Sequence, residues 1–344
     1  MTTQQSVVPW RECATPWFLG VDVGGTSIKI GLVDDRGQTI GYTSIPTDEP
    51  KGPRDAMGRT VQATRCLLDE LGLTLQQISR VGLGTPGSQD IANGRLIEPP
   101  NHPHWWNFPI VRCLEEEIGL PVSFVNDANA AAFGEFWVGT GRQHASMVLL
   151  TLGTGVGGGI IIDGNLVVGA NSFGGECGHI IVDSRPDARL CVWGGGRGQL
   201  EAYASASAVA VRAQEAVSSG VQSALGCRSR PITAKRVYEA ALDGDPLALE
   251  IIDETADYLG IGIANLVHIV DPGLVVLGGA MNFGGSASAI GQRFLLRTQK
   301  AFQSRSFDYV FSGTTLEFAV LGGDAGYLGA AGIARDDYHR APRG

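Results

Sequence analysis

Apolar and polar positions along the chain change period several times, and each change marks an element. Residues 18–33 read FLGVDV, then GGT, then SIKIGLV, with β-branched residues at alternate positions, which predicts a hairpin closed by a glycine turn. Apolar residues at helical spacing (Met57, Val61, Cys66, Leu67, Leu71) predict a helix over 54–79, and 80–85 returns to strand. A short strand over 121–125 delivers Asn126 and Asp127 at its end, before a helix-forming run over 128–136. Two strand runs, 146–152 and 159–163, flank the turn Gly153-Thr-Gly-Val-Gly-Gly158, and Asp163-Gly164 opens another turn before 165–168. Further on, 202–219 and 234–270 read as helical, the second interrupted at Gly244-Asp-Pro246. A buried strand over 274–277 ends in Gly278-Gly279; a helix over 290–303, a strand over 315–321 and a small-residue helix over 325–334 follow, with a frayed tail. The two glycine turns, each with a threonine and each between strands, predict two related halves facing one cleft.

Composition narrows the class. A length of 344 residues suggests two domains. Hydrophobic residues at 44% and charged ones at 18% exclude disorder and coiled coil. The 35 acidic against 26 basic residues, a net charge of -9, leave no electrostatic footprint for nucleic acid or anionic lipid, so a small-molecule partner is expected. Six cysteines without a C-x-x-C pair fit reduced thiols. Residues 1–17 have neither a basic start nor a long apolar run, and the most apolar window, 261–280, is broken by His268 and Asp271-Pro272-Gly273; a cytoplasmic protein without a membrane span is expected. The 49 glycines are about twice the usual share, and their crowding around the turns suggests close backbone approach to ligands.

Gly153-x-Gly155-x-x-Gly158 satisfies the dinucleotide spacing, but Ile160-Ile161-Ile162 follows where that fold needs a helix. What stays open is an anion-cupping turn with Thr154 or a plain hairpin turn. In Asp22-Val23-Gly24-Gly25-Thr26 a carboxylate ends a strand before a similar turn, with Lys29 on the next strand; a carboxylate there suits Mg²⁺ held through water, though an ordinary turn has the same residues. Two such turns, one in each half, suit a clamp on β- and γ-phosphates.

Seven motifs in order, D-V-G-G-T-S-I-K, G-T-P-G, P-N-H-P-x-W, N-D-A-N-A-A-A, L-G-T-G-V-G-G-G, G-E-C-G-H and L-E-A-Y-A-S, resemble the ROK family of sugar kinases and repressors over about 18–334. That resemblance implies an α/β, two-domain actin-like (ribonuclease H-like) ATPase fold with a ligand cleft between the domains. The smaller domain would span 18–127 and be completed by a C-terminal helix near 325–340; the larger would span 128–324, and 1–17 would be an extension without an assigned role. It also implies Asp127 as general base toward a sugar hydroxyl, with Asn101, Asn126, Glu176, His179 and Glu201 on the sugar. The nucleotide would take Asp22, Gly24, Gly25, Thr26, Lys29, Thr154, Gly155, Gly278 and Gly279. From residue type alone, Asn126-Asp127 also suits a helix cap, Asn101 a proline-flanked turn, His179 a structural histidine, and Gly278-Gly279 a strand-to-helix turn.

The implied activity is ATP-dependent phosphorylation of a hexose 6-hydroxyl with Mg²⁺, glucose leading over mannose, fructose, N-acetylmannosamine and N-acetylglucosamine, and with polyphosphate as an alternative donor. A sugar-responsive repressor is disfavoured, because only 17 residues precede the first strand. A dimer is usual in the family, and apolar helical surface over 247–270 could supply its interface, though core packing explains the same residues more cheaply. The family pattern departs in one place. Many relatives hold structural zinc through the histidine of G-E-x-G-H and three cysteines; here the cysteine positions are Val192, Gly194 and Gln199, so no zinc is expected.

Overall fold

In the computed structural model, which describes residues 7–99, 102–192, 196–226 and 230–341, the chain folds around two five-stranded sheets of one plan. Strands β1 (Trp17–Val23), β2 (Ser27–Val33) and β3 (Thr39–Pro46) are successive antiparallel neighbours, and β4 (Ile78–Thr85) lies parallel to β1 on its other side. After a two-residue ladder of β5 (Gln89–Asp90) and β6 (Arg95–Leu96), β7 (Val122–Asn126) completes the first sheet in parallel with β4. The second sheet repeats this: β8 (Met147–Leu152), β9 (Val156–Ile162) and β10 (Asn165–Leu166) are antiparallel, then β11 (Leu274–Gly278) and β12 (Thr315–Phe318) run parallel beside β8. The orders β3-β2-β1-β4-β7 and β10-β9-β8-β11-β12 are the duplicated plan of actin-like ATPases that the motifs imply.

The helices are α1 (Gly52–Leu71), α2 (Ile110–Ile118), α3 (Asp127–Trp137), α4 (Glu201–Ala204), α5 (Ala206–Ser218), α6 (Ala234–Leu242), α7 (Pro246–Val270), α8 (Ala289–Gln303), α9 (Asp308–Gly313) and α10 (Ala325–Arg340). Several ends differ from the pattern reading for local reasons. Helix α1 stops at Leu71 because Gly72 turns left-handed (φ 68°) and returns its N–H to Leu68 and Asp69. The run 202–219 divides at Ser205, whose extended backbone and side chain cap α5 at the Ala208 N–H. The C-terminal residues do not fray at 334. Arg335 Nε and His339 Nε2 reach Asp35 Oδ1 at 2.9 and 2.7 Å, which extends α10 to Arg340. Strand β3 and helix α2 go beyond what the pattern predicted.

Residues 7–17 pack on the first sheet: the Val8 N–H donates to Thr39 O at 2.9 Å, the Ala14 N–H to Asp34 Oδ2 at 2.9 Å, and Trp10 meets Trp17 edge-on. Helix α7 buries Leu247, Ile251, Leu259 and Ile263 against Val148, Leu150, Val275 and Leu277 of the second sheet. Its apolar stripe over 247–270 is therefore largely core, the cheaper of the two readings of that stripe.

Helix α10 leaves the second half and lies across β1 and β4 of the first sheet and against α3. The contact is backbone to backbone. A Cβ on Gly82 would fall inside the Ala330 carbonyl, and one on Gly329 inside the Ala130 carbonyl. Many glycines thus serve the fold, which corrects the reading that their excess mainly meets ligands. Gly82→Ala should cost about 3 kcal/mol or more, because neither backbone can retreat. Chemical denaturation checks this; a loss under about 0.5 kcal/mol, the range of neutral surface changes, would contradict it.

Candidate active site

The cleft is assembled from strand ends. Asp22 stands near the end of β1, where α10 starts without a Cβ at Gly326 to displace its carboxylate. Lys29 Nζ lies 3.7 Å from Asp22 Oδ2 and donates to the Gly323 carbonyl at 2.5 Å. Burial raises the Asp22 carboxyl above the usual carboxylate range, and Lys29 opposes that. The adjoining turn is held by Thr47: its hydroxyl donates to the Gly24 carbonyl at 2.6 Å and its N–H to Thr26 O at 3.0 Å, with Gly25 and Thr26 exposed.

The second turn is braced by the start of α5. The Ala206 N–H donates to Gly153 O and Ser207 Oγ to Thr154 O, both at 2.8 Å. Behind it, Glu201 is buried with both oxygens engaged: Oε2 accepts from the Val156 N–H at 2.8 Å and Oε1 from the Cys191 thiol at 2.8 Å.

Between the turns, β7 hands over to α3. The Asn126 side-chain oxygen caps the helix, accepting from the N–H groups of Ala128 at 2.9 Å and Asn129 at 3.4 Å. Capping is thus Asn126's work, and it leaves the Asp127 carboxylate, which accepts from the Ala128 N–H at 2.8 Å, lining the cleft. Burial pushes the Asp127 carboxyl up to about 7, with the Asp22 charge adding to the rise.

Three adjoining cavities run along the cleft. One of about 430 Å³ has Gly24, Gly25, Asn126 and Asp127 on one side and Thr154, Gly155, Glu176, His179 and Glu201 on the other. A second, about 780 Å³, shares Asp127 with the first and adds Asp22, Lys29, Gly278 and Gly279. A third, about 540 Å³, shares Gly153 and Thr154 with the first and has an apolar wall of Tyr238, Met281 and Phe283. Thr26 lines none of the three, and Asn101 lies outside the described residues. On the first cavity's far wall, Glu176 and His179 stand together, His179 Nε2 3.7 Å from Glu176 Oε2. Burial raises the Glu176 carboxyl, against His179 and with Glu201.

Gln89, His102 and Asn129 are lining residues that sequence reasoning missed. All three are buried, and among the described residues Gln89 Oε1, both His102 ring nitrogens and Asn129 Oδ1 have no hydrogen-bond partner of full geometry. Burial lowers the His102 ring's pKa, with Glu49 and the Gly24 backbone opposing, so the ring is neutral. His102 and Asn129 sit inside motifs already singled out; Gln89 carries no sequence signal.

Two metals are implied by the family resemblance. For Mg²⁺ the donor set fits: the two carboxylates of Asp22 and Asp127 line one cavity closely enough for the Asp22 charge to raise the Asp127 carboxyl. For zinc it does not fit. His179 Nδ1 is 3.2 Å from Gln199 Oε1, Val192 is aliphatic and exposed, and the Cys191 thiol is turned to Glu201. Gly194 lies outside the described residues, and among those described no three His, Cys, Asp or Glu side chains gather as a metal site.

A model of the ROK family matches residues 18–337. The chain belongs to the ROK family. It is 35% identical over 331 residues to the glucokinase of Halalkalibacterium halodurans, covering 95% of this chain and 98% of that one. Among solved structures, the ROK hexokinase from Thermus thermophilus superposes with a TM-score of 0.80 at 32% identity, covering 94% of this chain and 99% of that one. A ROK-family glucokinase from Streptomyces griseus, in complex with glucose and AMPPNP, gives 0.75 at 32% identity, covering 93% and 99%. No helix among the described residues is long and apolar enough to cross a membrane.

The raised Asp127 carboxyl makes a stability prediction for this ROK chain. The folded state holds the proton up to about pH 7 while the unfolded chain releases it near the ordinary 3.8, so stability contributed at this position falls as pH rises through that window. Asp127→Asn removes the effect, and its stability relative to wild type should be roughly 2 kcal/mol more favourable at pH 8 than at pH 5. Urea unfolding at the two pH values measures the difference; a pH-independent difference would show that Asp127 titrates normally.

Proposed function

We propose that the chain is an ATP-dependent hexose kinase that phosphorylates the 6-hydroxyl of glucose, with Asp127 as general base. The observation that carries this reading is the Asp127 carboxylate, which lines both the cavity holding Glu176 and His179 and the one holding Asp22 and Lys29. A base with a pKa near 7 is substantially ionised at neutral pH and still basic enough to take a hydroxyl proton. A Streptomyces griseus relative solved in complex with glucose and AMPPNP supports a reading that pairs a hexose with ATP.

In this reading Glu176 and His179 orient the sugar, with Glu201 and Asn126 as buried or capping supports. The nucleotide's adenosine lies against Tyr238, Met281 and Phe283, and Gly278-Gly279 flanks it. The turns at Gly24-Gly25 and Thr154-Gly155 hold the phosphates by backbone N–H groups, and Lys29 faces them. Thr26 acts only through its backbone, since its side chain lines no cavity. Asp22 would hold Mg²⁺, which supplies charge neutralisation on the phosphates when bound.

The step conserves atoms. As the hydroxyl oxygen bonds the γ-phosphorus, its proton passes to Asp127, the bridging P–O bond breaks, and its electron pair leaves on ADP. Glucose leads over the other hexoses and N-acetylhexosamines because relatives at 35% and 34% identity are glucokinases, against 32% for an N-acetylmannosamine kinase. ATP is the donor the apolar third cavity favours, since polyphosphate has no base to place there.

A panel of hexoses and N-acetylhexosamines against ATP and polyphosphate, followed by sugar-phosphate formation, tests the reading. Glucose with ATP should give the highest kcat/KM, falling as pH drops below about 7 as Asp127 protonates. Asp127→Asn should lose about 10²–10⁴-fold in kcat while still binding glucose. No product from any pair would overturn the proposal, and hexose binding without turnover would favour the family's repressor role.

A further inference from the structure

Two residues of the segment between the glycine turns and α4 do what nothing in the motifs assigns to them. Residues 180–200 are closed by antiparallel bridges, Ile181 to Gln199 and Leu190 to Arg197, with the Leu200 N–H donating to Ile180 O at 2.9 Å and the Gly198 N–H to Arg189 O at 2.8 Å. Below them Tyr203 Oη donates to Asp183 Oδ2 at 2.6 Å and accepts from the Arg189 N–H at 3.0 Å. These bonds tie residues 180–192 to 196–200. The segment ends by aiming the side chain of Gln199 at His179, while Cys191 meets Glu201.

We propose that Gln199 and Cys191 are positioning residues that replace a metal: Gln199 fixes the ring of His179 and Cys191 fixes the carboxylate of Glu201, so this kinase orders its sugar wall without zinc. The chemistry follows from donor and acceptor rules. An amide oxygen only accepts, so His179 Nδ1, 3.2 Å away, carries a hydrogen, and in the neutral ring Nε2 carries the lone pair. Nε2 then stands 3.7 Å from Glu176 Oε2 as a second acceptor. Two neighbouring acceptors are what a pair of vicinal sugar hydroxyls, each donating, requires. Both side chains are about half exposed, so a sugar reaches them. On the other side, Glu201 receives its second hydrogen bond from the Cys191 thiol, and a buried carboxylate that lost that donor would turn elsewhere.

The inference rests on the kinase reading only for its kinetic arm; the other two readouts need no turnover. Metal analysis of wild-type protein dialysed against chelator should find far less than one zinc per chain, with the fold intact by circular dichroism. In histidine-labelled wild-type protein, with His179→Asn to assign the signal, NMR should show His179 as the Nδ1–H tautomer. Gln199→Leu should shift it toward Nε2–H, the form usual for an unheld ring. Kinetically, Gln199→Leu should raise the KM for the hexose about tenfold with kcat and the KM for ATP little changed. Gln199→Glu keeps an acceptor oxygen and should restore most of the affinity. Cys191→Val should raise the hexose KM similarly, and Cys191→Ser, which keeps a donor, should recover it.

One zinc per chain, with loss of fold or activity on chelation restored by zinc, would overturn the proposal. So would an unchanged His179 tautomer in Gln199→Leu. If wild type phosphorylated no hexose, the kinase reading would fall while zinc content and tautomer would still decide this one.

Discussion

The laying of α10 onto the first sheet at backbone distance is the constraint on which the cleft depends. A helix that carries Gly326, Gly329, Ala330 and Ala331 on its packed face gains proximity there, while Tyr327 and Leu328 supply its side-chain burial. Close-packed interiors transmit small displacements rather than absorbing them. Because α10 touches β1, β4 and α3 together, it sets the separation between the end of β1, which bears Asp22, and the start of α3, which bears Asp127. Asp22 lies where the first residues of α10 arrive, at the helix end whose dipole favours an anion.

The second consequence is electrostatic. Two carboxylates share a cavity, and burial raises both: Lys29 opposes the rise at Asp22, while at Asp127, pushed up to about 7, the Asp22 charge adds to it. The first cavity, which Asp127 also lines, carries buried atoms of Gln89, His102 and Asn129 that find no hydrogen-bond partner among the described residues. Each such group costs about 1–3 kcal/mol in the free protein. Their concentration at one cleft means the cost is spent where a polyhydroxylated ligand would relieve it, which is how a site is made selective for hydroxyl groups over an apolar isostere.

Much of this was legible in the sequence. Strand alternation around GGT and GTGVGG is a local property, so both hairpins and the lead strands of both sheets could be read directly. The strand-to-helix junction at Asn126-Asp127 was also visible, and the structure divides what was one ambiguous pair into a cap, Asn126, and a cleft carboxylate, Asp127. What escaped were properties of distant partners. The length of α10 depends on Asp35, some 300 positions away in sequence, and no periodicity reports such a pairing. The glycines at 82 and 329 were read within a strand and a helix, but the backbone contacts they permit depend on neighbours that no local pattern reports. Gln89 and the apolar wall of Tyr238, Met281 and Phe283 lack a motif because their role comes from position in the cleft.

The departure from the zinc pattern shows how a site tolerates losing a metal. A structural metal supplies two things: it crosslinks a segment, and it orients the ligands that neighbour the substrate. Here the crosslink is distributed over the backbone bridges of residues 180–200 and the Tyr203–Asp183 bond, each weak and individually replaceable. Orientation is different, because it needs a particular atom at a particular ring nitrogen. A carbonyl oxygen on a flexible side chain such as Gln199 meets that need by accepting from the ring's Nδ1–H. The substitution of a soft ligand by an amide therefore keeps the histidine's acceptor turned toward the sugar and gives up only the rigidity that the segment recovers from its own hydrogen bonds.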